Sequence, residues 1–430
     1  MFHRMGVAGA VVLLALGPIA GGSVTSAGAA TPAEVQFAWL VAASARPPLS
    51  APELRRHLDA GLLGALGGAD GFNRALRPYM PFTAGAVLSS SNTELRQVVT
   101  GPRGPLMATV DVDPAGLVSH LLLSPYLPAP ASWAAVHSEL RTLAPRVSFA
   151  AARITPAGCR VVDGTNATLA RPMGSAFKLY VLGALAQAIH SGRLSWNTRL
   201  ALHPAWKSLP SGVLQDQPGG TVYTLAQYAD YMISISDNTA ADHLIHEVGR
   251  DAVQRQFTIF GNTAPNAPLL TTRELFALKS WDYPAAATAY AALPAPGRAA
   301  TLPALDRVPL SAITGWTGPE MIDTLEWFGS PIAMCRAFAG LWAQHDPHVT
   351  TVLTLNDGGL GLPAARFPTV WFKGGAEPGV LTLNYLARTA DGALVSASLM
   401  LSDPNHPLDE STIDPPALAL LRGAIQLTAR

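Results

Sequence analysis

Three short stretches of this chain carry residue types that can perform acyl transfer. Ser175-Ala176-Phe177-Lys178 sets a hydroxyl and an amine three residues apart. On a helix that spacing puts both side chains on one face, where the amine can reach the hydroxyl and take its proton. Ser236-Asp237-Asn238 adds a second hydroxyl and an amide, and Lys373-Gly374-Gly375-Ala376 adds a second amine followed by two residues without side chains. Only four of the 29 basic residues are lysines. Arginine stays charged at every accessible pH, whereas a desolvated lysine can shed its proton and act as a base. Lys178 and Lys373 therefore stand where an amine has a chemical use; Lys207 and Lys279 have no role that the sequence assigns.

Each stretch also has an ordinary reading. A serine and a lysine three apart form a common surface pair, Ser-Asp-Asn ahead of a helical run from Thr239 is a helix N-cap, and Lys-Gly-Gly is a strand leaving for a turn. Position favours chemistry. Ser175 precedes the apolar helical run Phe177 to Ile189, so its backbone N–H lies at a helix N-terminus, aided by the helix dipole toward a developing oxyanion. The Ser236 hydroxyl can pass a proton to a leaving group, while Asn238 can hold a substrate amide or carbonyl. Gly375 lets substrate lie against the backbone, with the Ala376 N–H as a second oxyanion donor.

The elements that must position these residues fall into two groups. Residues 31–128 read as a small α+β unit. It has a helix over Ala33 to Val41, an amphipathic stretch over Pro52 to Leu66, and strands over Glu94 to Val99, Leu106 to Val112 and Leu117 to Leu123. The proline-rich run Pro125 to Pro130 reads as a linker. Residues 129–430 begin with a helix over Trp133 to Leu143 and strands over Val147 to Ile154 and Cys159 to Val162. A mostly helical middle runs over 175–344. Strands follow over Thr369 to Lys373, Val380 to Arg388 and Ala393 to Leu401, with a last helix over Pro415 to Thr428. Two strands at the start and three at the end predict one sheet assembled from both ends of the segment, flanked by helices, in an α+β fold.

At 430 residues, 13% charged and with a formal net charge of zero, the chain has length for two domains and no basic or acidic block to recruit nucleic acid. His3 and Arg4, the apolar run from Met5 to about Ala20, and Ala27-Gly28-Ala29 predict a secretory signal over residues 1–30, leaving no transmembrane anchor after cleavage. In an exported protein Cys159 and Cys335 can pair; two buried free thiols are the alternative. His243 with His246 and His345 with His348 sit three apart, but no third metal ligand is indicated, and helical packing accounts for them. Asp111 and Asp113 flank a turn, which suffices to explain them.

Taken in order, the strand pair, Ser-x-x-Lys, Ser-Asp-Asn and Lys-Gly-Gly resemble the active-site serine superfamily of class A β-lactamases, penicillin-binding proteins and related esterases. The resemblance covers residues 131–430. It is narrowest to the β-lactamase-like proteins of clavulanic-acid gene clusters, through Gly174 to Tyr180, Met232 to Asn238 and Leu325 to Phe328. It implies a β-lactamase-like sandwich with a five-stranded sheet and an all-helical lobe, behind an NTF2-like (steroid-isomerase) domain. It further implies Ser175 as nucleophile, Lys178 as its base and Ser236 as proton shuttle. Asn238, Lys373, Gly375 and Ala376 would bind a small-molecule β-lactam, ester or peptidoglycan-like substrate. No cofactor or metal is implied, and the location is secreted or periplasmic.

Two departures limit the activity that follows. Gly374 replaces the hydroxyl residue expected between Lys and Gly in the third motif. Most of the loop carrying the deacylating glutamate is read as deleted between Asn262 and Leu270. Glu274 is the one nearby carboxylate, and its helical context predicts an ion pair with Arg273 or Lys279 instead. Slow deacylation follows from that reading.

Overall fold

The computed structural model describes residues 11–13 and 30–430. The predicted export signal thus lies outside the described residues, apart from a short strand β1 (Val11–Leu13). The N-terminal unit continues with α1 (Pro32–Ser44), α2 (Ala51–His57), α3 (Ala60–Ala65) and α4 (Gly68–Leu76). Strands β2 (Thr83–Ser90), β3 (Glu94–Gly101), β4 (Gly104–Val112) and β5 (Val118–Pro125) complete it, in the antiparallel order β1-β5-β4-β3-β2. The single amphipathic stretch expected over Pro52 to Leu66 is two helices, because Asp59 accepts the Leu62 amide and caps a new start. Strand β2 escaped the sequence reading: its first five residues are small or exposed and show no alternation. Phe37, Leu40, Leu54 and Phe72 pack on Leu95, Val99, Val110 and Leu121, giving this unit a core of its own.

The opposite face of that sheet meets the second unit. Arg96 pairs with Asp357 at 2.8 Å, the Ala364 amide bonds to the Leu88 carbonyl, and the Tyr126 hydroxyl donates to the Gly361 carbonyl. The Arg422 guanidinium stacks 3.7 Å from the Tyr126 ring and donates to the carbonyls of Leu127 and Leu360, so the proline-rich link is fastened along its length.

The second unit opens with α5 (Trp133–Leu143), β6 (Arg146–Thr155), β7 (Gly158–Thr165) and β8 (Arg171–Pro172). Its helical middle holds α6 (Lys178–His190), the small strands β9 (Arg199–Ala201) and β10 (Val222–Thr224), α7 (Leu225–Ser234), α8 (Asn238–Val248), α9 (Arg250–Ile259), α10 (Thr272–Ser280), α11 (Ala285–Ala292) and α12 (Ala295–Leu305). Then come β11 (Phe328–Gly329), α13 (Pro331–Trp342), α14 (Pro347–Thr354), β12 (Thr369–Glu377), β13 (Val380–Arg388), β14 (Leu394–Ser402) and α15 (Glu410–Thr428). The main sheet runs β12-β13-β14-β6-β7, antiparallel throughout, and β14 joins the two chain ends through pairs such as Leu399 with Phe149. On one face α5 and α15 pack; on the other α13 and α6 begin the helical lobe. Strand β13 reads as an unbroken buried run, as a central strand covered on both faces must. Cys159 and Cys335 form a disulfide between β7 and α13, with Cα atoms 6.3 Å apart, which resolves the alternative left open by the sequence.

Strand β12 lies at the sheet edge, so one side of its backbone is left for other partners. It is this strand that carries Lys373 to Ala376.

Candidate active site

Ser175 sits one step before the place expected for it. It lies in a tight 3-10 turn, Gly174–Phe177, and the α-helix α6 starts at Lys178. Gly174 has φ +47°, a left-handed conformation that lets the chain swing from β8 into the turn. Behind it the Phe177 ring stacks on Trp327 at 3.9 Å, and the Met173 amide donates to the Trp327 carbonyl at 2.8 Å. Trp327 is buried and forms the floor beneath the Ser175 turn.

Lys178 is fully buried, and its Nζ reaches four oxygens. It lies 3.2 Å from Ser175 Oγ, 3.1 Å from Ser236 Oγ, 2.5 Å from the Ser236 carbonyl and 2.6 Å from Asn238 Oδ1. Burial depresses its pKa to about 7, against a partial upward pull from Asp237 and Asp242. An amine so depressed can stand uncharged beside a hydroxyl near neutral pH.

Ser236 is held in the left-handed region, φ +59°, which is strained for a residue with a side chain. The strain is offset by its neighbours. Asp237 caps α8 by accepting the Ala240 amide and also takes the amides of Val213 and Leu214. The Asn238 amide donates to the Ser211 carbonyl. The cap and the catalytic-type placement are therefore one device, with Asp237 capping while Ser236 is turned toward the two lysines.

The Asn238 side chain, assigned to substrate by the sequence, here faces inward. Its Oδ1 takes Lys178, its Nδ2 donates to the Leu209 carbonyl, and the residue is 2% exposed. Lys373 approaches from β12: its Nζ donates to Ser236 Oγ at 3.0 Å and to the Gly374 carbonyl at 2.7 Å. Burial, and then the nearby Lys178 charge, hold its pKa well below the usual lysine range.

Gly375 is where strand and turn meet. A Cβ there would stand 2.3 Å from the Met173 carbonyl and 2.6 Å from the Ser175 nitrogen, so only glycine permits the approach. A Cβ on Gly174 would lie 3.2 Å from the Ala376 nitrogen, which places the amides of Ser175 and Ala376 on facing walls of one contact. The structure thus brings Ser175, Lys178, Ser236, Asn238, Lys373, Gly375 and Ala376 together. At Gly374 the space that a side chain would take is filled by the Phe372 ring, 2.8 Å from the ideal Cβ position.

Glu274 is fully buried and belongs elsewhere. Its carboxylate pairs with both guanidinium nitrogens of Arg250, at 2.7 and 2.6 Å, and closes a capping box with Thr271. The expected partners, Arg273 and Lys279, are engaged differently: Arg273 donates to the carbonyls of Lys207 and Val308, and Lys279 faces Glu326 and Glu377. Sequence proximity on one helix misled, because residues one and five apart point to different sides of α10.

Asp242 was not singled out by the sequence. Buried beneath Asn238, it accepts the Thr272 and Arg273 amides and the Thr272 hydroxyl, tying α8 to α10, and burial raises its pKa to about 7. Nothing in the pattern of α8 set it apart, since Asn238, Thr239 and His246, one turn to either side on the same face, are polar too. Of the two histidine pairs, His243 and His246 are packing residues: His243 donates from Nδ1 to the Thr239 carbonyl and accepts the His203 amide at Nε2, while His246 stacks on Trp206; His348 instead faces Asp230 at 3.5 Å. Among the described residues no cluster of three metal-ligating side chains occurs, and no helix is long and apolar enough to cross a membrane.

Residues 160–281 match the sequence model of the Beta-lactamase enzyme family. That span holds Ser175, Lys178, Ser236 and Asn238 but stops short of Lys373. No curated protein matches the chain in sequence. Solved structures similar to it include a beta-lactamase from Sphaerobacter thermophilus DSM 20745, at 20% identity and TM-score 0.49, covering 70% of this chain and 98% of that one. Another is PBP-A, at 16% identity and TM-score 0.47, with the same two coverages.

Proposed function

We propose that this chain is an exported active-site serine hydrolase that forms an acyl-enzyme at Ser175 with β-lactam or ester substrates. The observation that carries the reading is the buried Lys178 amine, 3.2 Å from Ser175 Oγ and with its pKa depressed to about 7. In its neutral form the amine takes the Ser175 proton as Oγ attacks the substrate carbonyl carbon. The negative charge that gathers on the carbonyl oxygen falls to the amides of Ser175 and Ala376. The proton then moves from Lys178 through the Ser236 hydroxyl, which touches both lysines, to the departing nitrogen or oxygen as its bond to the carbonyl carbon breaks. When protonated, Lys373 supplies positive potential for a substrate carboxylate.

Release of the acyl group needs a base for water. Glu274 is committed to Arg250, so the acyl-enzyme is long-lived, and the chain acts as a slow β-lactamase or an esterase. A D-alanyl-D-alanine carboxypeptidase or penicillin-binding protein is favoured by one further feature, the free edge of β12. An extended peptide can pair with it as an added strand. Within the N-terminal unit, α1 and strands β2 and β3 line an open cleft of about 380 Å³ with Glu34, Phe37, Val41, Leu95 and Gln97. Helices on one face of a sheet with such a cleft support kinship with NTF2-like modules and with the proteins of clavulanic-acid clusters, and a small apolar ligand suits its walls.

Incubation with a fluorescent penicillin, followed by intact mass, tests the acyl-enzyme. A lasting adduct, lost in Ser175→Ala, supports the proposal. A wild type that neither labels nor cleaves a p-nitrophenyl ester refutes it and leaves a binding protein.

A further inference from the structure

Lys207 and Lys279, the two lysines without a role in the sequence, both serve segments that touch the site. Lys207 Nζ donates to the carbonyls of Gln215 and Gln217, closing the loop whose Val213 and Leu214 amides hold Asp237. Lys279 carries the stronger inference. It is fully buried on α10, and its Nζ lies 2.5 Å from Glu377 Oε1 and 3.5 Å from Glu326 Oε1.

These two carboxylates stand on the two segments that enclose the Ser175 turn. Glu377 directly follows Ala376, and by strand alternation it shares a face with Gly375, the residue against the Ser175 nitrogen. Glu326 precedes Trp327, whose carbonyl holds the Met173 amide and whose ring underlies Phe177; the second oxygen of Glu326 accepts the Trp327 amide at 2.9 Å. One ammonium thus fastens both walls around the backbone that bears the nucleophile.

Stability does not explain the arrangement. A buried ion pair is often matched or bettered by apolar residues of the same volume, and here two carboxylates share one lysine. Glu377 Oε2 has no hydrogen-bond partner among the described residues. Burial pulls Lys279 toward neutrality, but Glu377 and Glu326 more than offset it, while burial raises the Glu377 carboxyl well above the usual carboxylate range against the pull of Lys279. Its compact head with three donors can address two carboxylates from a helix, which a planar guanidinium fits less well.

We propose that Lys279 is a positioning residue for acyl transfer. By drawing Glu377 and Glu326 together it fixes the distance between the Ala376 amide and the Ser175 turn, and so sets the oxyanion site. The inference rests on the acyl-enzyme reading above. It concerns the backbone donors and not the nucleophile or its base.

The test compares the full-length wild type with Lys279→Met and the double variant Lys279→Met, Glu377→Gln, which removes the carboxylate left unpaired by the single change. Stopped-flow with a fluorescent penicillin separates the encounter affinity from the acylation rate. Phenylboronic acid, whose tetrahedral adduct on serine needs the same backbone donors, gives an independent readout. The expected result is folded protein with encounter affinity unchanged, acylation about 100-fold slower, and phenylboronate binding weakened. A double variant that acylates and binds phenylboronate like the wild type overturns the proposal. So does failure of both variants to fold, which would make the lysine purely structural. A wild type that never forms a Ser175 adduct sinks the acyl-enzyme reading itself, whereas an adduct formed equally fast in all three proteins sinks the positioning role alone.

Discussion

Lys178 and Lys373 donate to the same hydroxyl, Ser236 Oγ, at 3.1 and 3.0 Å. Two full positive charges so close in a buried pocket repel, and each also loses its hydration. Burial lowers both pKa values, and at Lys373 the Lys178 charge lowers it further. The base form of Lys178 is the unprotonated one, so acylation of Ser175 should rise with pH through about 7 and level off above it. Lys178→Met should remove this limb and slow acylation by about 10³-fold. Adduct formation followed by intact mass between pH 5 and 9 checks both. A rate independent of pH in the wild type would exclude Lys178 as the base.

Glu274 offers the opposite expectation. Its carboxylate holds Arg250 through two bonds and caps α10, with no exposure to solvent. Glu274→Gln leaves Arg250 partly buried without its counter-ion, which should cost about 3 kcal/mol in unfolding free energy. Decay of the acyl-enzyme should change less than about threefold, far from the loss that follows removal of a general base. Urea unfolding and adduct lifetime, measured on the same preparation, separate the two effects. A stable protein with a greatly prolonged adduct would return Glu274 to the chemistry.

The disulfide joins residues 176 apart in sequence, spanning most of the helical lobe. Such a long closed loop restricts the unfolded chain strongly, and reduction or Cys335→Ala should lower stability by about 2–5 kcal/mol. Cys159 on β7 and Cys335 on α13 hold no residue of the site, so the acylation rate at 25 °C should stay within about twofold. Thermal unfolding with and without reductant, beside the acylation assay, checks the separation.

Much of this architecture was legible because its signals are local. The helix at Trp133–Leu143 has exact bounds in the sequence, where Ser132 caps it and apolar residues recur at helical spacing. The sheet built from both chain ends followed from strand content alone. The meeting of Ser175, Lys178, Ser236 and Lys373 came from a resemblance, since no local pattern places Ser236 Oγ between two amines. What stayed hidden depends on partners distant in the chain. Glu274 finds Arg250, 24 residues earlier, and not the basic residues on its own helix. Lys279 reaches Glu377 across 98 residues. The inward turn of the Asn238 side chain depends on the Leu209 carbonyl, which no periodicity announces.

Gly374 and Gly375 look equivalent in sequence, yet the structure makes their substitution unequal. A methyl group at 375 meets the Met173 carbonyl at 2.3 Å and the Ser175 nitrogen at 2.6 Å, both backbone atoms that cannot yield without moving the Ser175 turn. At 374 the methyl meets the tip of the Phe372 ring at 2.8 Å, which can swing away, and the Thr382 carbonyl only at 3.2 Å. Gly375→Ala should therefore slow acylation by about 100-fold or more, since it displaces the Ser175 amide from the Ala376 amide. Gly374→Ala should cost less than about tenfold, and Gly374→Thr should gain its hydroxyl's benefit only when Phe372 is also shortened to leucine. Acylation rates of these four proteins with one fluorescent penicillin decide the matter. Equal losses at 374 and 375 would mean that the contact between β12 and the Ser175 turn does not govern the reaction.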